Sequence, residues 1–127
     1  MILADTSVWA DHLRASDSTL QSLLDSGELF MHPFVIGELS LGHLKNRAGI
    51  LRDLKKMPRA PTARDEEVWH LIESRNLVAV GIGYVDAHLL ASVRIIPGLR
   101  LWTRDKRLHA VAERLGFAMT PDRRARP

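Results

Sequence analysis

At 127 residues the chain fits one domain, long enough to bury roughly two thirds of its unfolded surface without staples. Its 46% hydrophobic and 26% charged content is ordinary for a globular protein, and the absence of cysteine excludes disulfides, thiolate metal sites and cysteine nucleophiles. The net charge of +3 is uneven: residues 1–99 hold 10 Lys/Arg against 12 Asp/Glu, while residues 100–127 hold 8 against 3, a pattern that suits a polyanion or acidic partner unless the basic tail is merely solvated.

The opening MILADTS lacks a basic stretch and meets an acid at Asp5, so no signal peptide is expected and a cytoplasmic location is. MILA, an apolar run ended by Asp5, predicts a buried strand. TSVWADHLRA follows as a helix with Asp5, Thr6 or Ser7 available as its cap. DSTLQSLLDSG sets Leu20, Leu23 and Leu24 on one helical stripe and stops at Gly27. ELFMH is a second strand, and Pro33 then sits where a first helical turn tolerates proline. FVIGELSLG predicts a helix reaching about Leu44, and residues 46–56 form a basic amphipathic one with Ile50, Leu51 and Leu54 inward. MPRAPT is punctuation with a brief extended segment, and RDEEVWHLIESR starts acidic and ends basic, as a helix dipole prefers.

NLVAVGIG reads as a strand by composition, although its glycines equally suit a loop into the next helix. YVDAHLLASVRI is helical, LRLWT a third strand, DKRLHAVAERLG a helix closed by Gly116, and FAMT a last short strand. No apolar run reaches the ~20 residues of a membrane span. Short strands alternating with helices predict an α/β/α sandwich around a parallel sheet of four to five short strands.

That fold gathers four acids. Asp5 ends the first strand and Asp105 lies two residues beyond LRLWT, where open α/β sheets place their sites. Asp86 opens the helix VDAHLLAS. Glu38 has Phe34 and Val35 one turn before it and Leu41 and Gly42 one turn after, so it is expected to face the core, an expensive place for an unpaired charge. Singly, each has a plain explanation: Asp5 and Asp105 as helix caps, Asp86 as a first-turn acid, Glu38 as the partner of Arg104 or Arg14. Together they repel, and a bound cation is the general remedy. An all-oxygen donor set favours Mg²⁺ or Mn²⁺ over zinc, with room left for waters and substrate phosphate, which points to phosphodiester hydrolysis by a metal-activated water.

The six histidines, His12, His32, His43, His70, His88 and His109, show no ligand spacing and most are expected at surfaces or interfaces, His88 turned away from Asp86 by the helix. No P-loop, dinucleotide fingerprint or nucleophile elbow occurs. Trp9, Trp69 and Trp102 read as core or interface residues. Arg104, Lys106 and Arg107, with Arg100 and the tail residues Arg123, Arg124 and Arg126, would ring the acids with phosphate-binding charge.

With ILADTSVWADHL, FVIGELSLG, GYVDAHLLAS and LWTRDKRL in this order, essentially the whole chain resembles the PIN-domain ribonucleases, most closely the VapC toxins of VapBC toxin–antitoxin pairs. The resemblance implies one PIN-like domain over 1–127 with a basic tail from about 121, and an acidic quartet of Asp5, Glu38, Asp86 and Asp105 that is both catalytic and metal-holding. It gives Ser7 and Thr103 supporting roles beside the acids or the metal waters. It further implies a Mg²⁺- or Mn²⁺-dependent endoribonuclease acting on structured RNA such as transfer or ribosomal RNA, self-dimerisation, and inhibition by a VapB-like antitoxin. The antitoxin groove would be walled by the basic helix around NRAGILRDLKK with the first two helices. Many relatives carry a further acid after the last Asp; here Lys106 and Arg107 follow, which weakens the expectation of a second firmly held ion.

Two other readings compete. A receiver-type phosphoacceptor needs adjacent acids after the first strand, whereas Asp5 is followed by Thr6 and Ser7, and it leaves Glu38 without a role. A catalytically inactive PIN-like RNA- or protein-binding module is the nearer alternative.

Overall fold

The structure, a computed structural model, describes residues 1–119. The central strand β1 (Ile2–Ala4) is wholly buried, as its unbroken apolar run requires when sheet partners lie on both sides. It pairs in parallel with β2 (Leu29–Phe30) and with β3 (Arg100–Trp102), giving the order β2-β1-β3. The register sets Leu3 against both Phe30 and Leu101. One parallel bridge extends each edge, Met31 to Arg59 and Leu101 to Ala118. MPRAPT and FAMT therefore add single pairings to a three-stranded sheet, rather than strands of their own; Thr120 and the tail with Arg123, Arg124 and Arg126 lie outside the described residues.

Among the described residues seven helices flank the sheet: α1 (Thr6–Arg14), α2 (Ser18–Asp25), α3 (Pro33–Ser40), α4 (Arg47–Lys56), α5 (Asp65–Ser74), α6 (Tyr84–Ile95) and α7 (Lys106–Leu115). Their starts follow the capping chemistry of the sequence. Asp17 accepts from Leu20 N–H at 2.9 Å, and His32 caps α3 by accepting from Phe34 N–H at 3.0 Å, with Pro33 at the first helical position. Gly116 closes α7 at φ +79°. Seven successive residues of α6, Ala87 to Val93, are buried, because this helix packs against both β3 and α5.

Three local readings are decided by the structure. The α3 helix stops at Ser40 instead of continuing to Leu44. NLVAVGIG is a run of turns, with Asn76, Ala79 and Gly81 at positive φ, a geometry no ladder accommodates. Two of the six histidines are core residues: His32 and His88 are 0% and 3% exposed. His32 Nε2 meets Ser92 Oγ at 3.1 Å and, because Nδ1 accepts from Phe34, the proton sits on Nε2. His88 Nε2 meets Asp65 Oδ1 at 3.3 Å. The rings of His32, Phe34, His88 and Tyr84 form an edge-to-face chain between α3 and α6. A histidine directly before a proline-led helix, and another inside an otherwise apolar one, were the signals for burial.

Candidate active site

The chain runs from β1 to β2 on one side and returns to β3 on the other, so the carboxyl ends of β1 and β3 form a topological switch point. Asp5 follows β1 there. Its backbone N–H donates to Trp102 C=O at 3.0 Å, and its side chain caps α1. Oδ1 accepts from Ser7 N–H at 3.0 Å, Val8 N–H at 3.3 Å and Ser7 Oγ at 2.5 Å, while Oδ2 accepts from Thr103 Oγ1 at 2.5 Å. Despite these four donors, burial pushes the Asp5 carboxyl above the usual carboxylate range.

Thr103 accepts from Asp105 N–H at 3.0 Å while donating to Asp5, so one hydroxyl connects the two strand-end acids. Ser7 Oγ likewise accepts from Arg104 N–H at 3.0 Å. Asp105 caps α7, its Oδ1 accepting from Leu108 N–H at 3.0 Å. Asp86, in the first turn of α6, is held by Gly83 N–H at 3.0 Å on Oδ2. Asp5 and Asp105 thus serve as helix caps and Asp86 as a first-turn acid.

Glu38 departs from its expected orientation. Val35, Ile36 and Leu39 carry the buried stripe of α3, and Glu38 is exposed. Its Oε1 accepts from Thr6 Oγ1 at 2.6 Å, a contact not foreseen from the sequence, where Thr6 figured only as a possible cap. Neither Arg104 nor Arg14 pairs with it. Arg14 pairs with Asp11, and Arg104 reaches Asp11 and Asp17, each at 2.5 Å, with its guanidinium 5.9 Å from the Trp102 ring centre.

Asp86 lies within the field of the other three acids. Burial, and then the negative charges of Asp5, Asp105 and Glu38, push the Asp86 carboxyl above its ordinary value against the opposing hydrogen bond from Gly83. None of the four makes an ion pair with a described residue. Oε2 of Glu38, Oδ1 of Asp86 and Oδ2 of Asp105 accept no hydrogen bond from the described residues. No three acidic or imidazole side chains among those residues stand close enough to clasp one ion directly. An oxygen-only donor set of this openness fits Mg²⁺ or Mn²⁺, which takes one or two carboxylates and keeps water in the remaining positions.

Lys106 and Arg107 begin α7 beside Asp105 and are exposed. The Arg107 side chain lies over Gly81, where a Cβ would stand 2.7 Å from Arg107 Cδ; with φ at +85°, that position admits little besides glycine. Next to Glu38 opens a cleft of about 660 Å³ whose walls include Thr6, Leu13, Arg14, Glu38, Lys45 and Ile50. It lies between α1, α3 and the start of α4, with no residue of α2 in its lining. Trp9 and Trp102 are buried, while Trp69 is 54% exposed on α5.

The PIN domain family model matches residues 2–114. Two curated relatives, both named Ribonuclease VapC32 and drawn from two strains of Mycobacterium tuberculosis, are 47% identical over 122 residues, covering 96% of this chain and 98% of theirs.

Proposed function

Because this chain belongs to the PIN-domain family, among ribonucleases of the VapC type, we propose that it is a toxin endoribonuclease that cuts RNA at Asp5, Glu38, Asp86 and Asp105 with Mg²⁺ or Mn²⁺. The observation that carries this reading is the setting of Asp86, where burial and then the negative charges of Asp5, Asp105 and Glu38 disfavour its ionised form, with no ion pair among the described residues to offset them. Repulsion of this kind lowers stability unless a ligand uses it.

When bound, the metal ion supplies Lewis acidity, making an attacking water more acidic and offsetting charge on the scissile phosphate. The chain's own residues provide the rest. Asp5, Asp86 and Asp105 would hold it, directly or through its waters, each carboxylate already oriented by a backbone N–H. Glu38, exposed and singly tethered, would contribute a further carboxylate to the ion or its waters. Ser7 and Thr103 keep the Asp5 carboxylate from rotating. Lys106 and Arg107 lie at the entrance, where they contact RNA phosphates without reading sequence.

The cleft beside Glu38 suits a VapB-like antitoxin segment that lays apolar side chains along Leu13 and Ile50 and brings a cation to Glu38. Structured RNA, transfer or ribosomal, is the proposed substrate, and a cytoplasmic homodimer the proposed state. No helix among the described residues is long and apolar enough to cross a membrane.

The test is cleavage of total small RNA by the purified protein with Mg²⁺, Mn²⁺ or EDTA, beside Asp5→Asn and Glu38→Gln. Discrete metal-dependent fragments are expected, reduced about 100-fold or more in both variants. No cleavage with any metal, from variants more stable than the parent, would instead establish an inactive binding module.

A further inference from the structure

We propose that Thr6 is a positioning residue for Glu38, its hydroxyl fixing the carboxylate across the gap between α1 and α3. The inference rests on the metal-dependent reading above and adds to it a member outside the acidic quartet and its two supporting hydroxyls.

Glu38 differs from the other three acids in how it is held. Asp5, Asp86 and Asp105 each receive a backbone N–H within their own helical turn. Glu38 lies in the last turn of α3 and receives none. Its one hydrogen bond among the described residues comes from Thr6, 32 residues away, at 2.6 Å. A glutamate side chain has three rotatable bonds, and an exposed one samples many rotamers unless something selects among them. Thr6 suits that task, since its branched Cβ leaves few χ1 states.

The backbone beneath Thr6 is equally fixed. It is the first residue of α1, between Asp5, which caps the helix, and Ser7, whose hydroxyl locks that cap. Thr6 Oγ1 has no capping duty of its own, because Asp5 satisfies the N–H groups of Ser7 and Val8. Three successive residues thus serve one site: Asp5 supplies a carboxylate, Ser7 holds that carboxylate, and Thr6 brings Glu38 to face it. The plain alternative is an incidental surface hydrogen bond, which would leave metal uptake untouched.

The test measures Mn²⁺ binding by titration calorimetry in the full chain, with RNA cleavage alongside, for wild type, T6V, T6S, E38Q and the double variant T6V/E38Q. Valine keeps the shape and removes the donor; serine keeps the donor. T6V is expected to weaken Mn²⁺ binding roughly three- to tenfold, in line with the net contribution of one ordinary exposed hydrogen bond. T6S should bind like wild type, and T6V/E38Q should bind no worse than E38Q, since Thr6 acts through Glu38. T6V indistinguishable from wild type, or losses that multiply in the double variant, would overturn the inference while leaving the nuclease reading intact. A wild-type protein that takes up no Mn²⁺ overturns the metal reading and this inference with it.

Discussion

Thr103 shows how much a single hydroxyl can organise. Buried at the end of β3, it donates to Asp5 at 2.5 Å and accepts from the Asp105 backbone at 3.0 Å, so two strand ends and two helix caps share one oxygen. Replacement by valine leaves the Asp105 N–H without its acceptor and removes one of the donors that offset the burial of Asp5. We expect Thr103→Val to cost about 1–3 kcal/mol in denaturant unfolding. RNA cleavage should fall by about 10- to 100-fold, the usual toll for a group that orients a ligand. Thr103→Ser should restore most of both. A valine variant with wild-type cleavage would reduce Thr103 to packing. Asp5, Asp86 and Asp105 were legible in the sequence because strand ends and first helical turns are local features, readable from a few residues. The helix that carries Glu38 was legible but not the orientation of its side chain: α3 is eight residues long, and in so short a helix packing against α1 and α4, not the run of apolar neighbours, decides which stripe is buried.

Between elements, the Arg104 guanidinium performs a task that its position in the sequence did not disclose. It spans Asp11 on α1 and Asp17 at the cap of α2, each at 2.5 Å, and clips the end of β3 to the helical layer. The hydrogen bond from Arg104 is the largest influence holding the Asp11 carboxyl below its ordinary value. Such pairing depends on which helices meet, and that information is absent from any local window. Partly exposed ion pairs contribute little and are screened. Arg104→Gln should therefore lower thermal stability modestly, by an amount that shrinks as salt is raised, and should leave the KM for RNA unchanged. A raised KM with a weaker salt dependence of binding would return Arg104 to the substrate surface expected from sequence. Lys106→Gln is the contrasting case, with no carboxylate engaging its ammonium among the described residues; there KM is expected to rise. The sheet was legible for a different reason. MILA, ELF and LRLW are short apolar runs with helices between them, and parallel strands buried on both faces have to be written that way. The single bridges at Arg59 and Ala118 lack such a run, and NLVAVGIG has one without being a strand, since its positive-φ residues break the ladder.

For the molecule as a whole, two buried systems make stability depend on pH in opposite directions. His32 is pushed down from 6.5 to about 4 by burial and by the charge of His88. Its surroundings offer Ser92, Phe34 and the His88 ring, with no carboxylate in contact. Between pH 6.5 and about 4 the unfolded chain takes up a proton that the folded ring refuses, so stability is lost as pH falls across that window, on the order of 3 kcal/mol in full. Asp5 and Asp86 act the other way. Their folded carboxyls keep a proton to higher pH than the ordinary 3.8, so stability is lost as pH rises from there through their raised folded values. Melting curves in EDTA from pH 4 to 8 should separate the two. His32→Asn, which keeps an acceptor for the Phe34 N–H, should lose the acid-side decline whatever its absolute stability. Asp86→Asn should lose part of the opposite slope and melt above wild type at pH 7. Adding Mg²⁺ at pH 7 should then raise the wild-type melting temperature more than that of Asp86→Asn, because binding to the folded state stabilises it in proportion to affinity. A wild-type protein whose melting Mg²⁺ does not shift would mean that the repulsion at Asp86 is simply carried by the fold, and the case for a cation among these acids would fall with it.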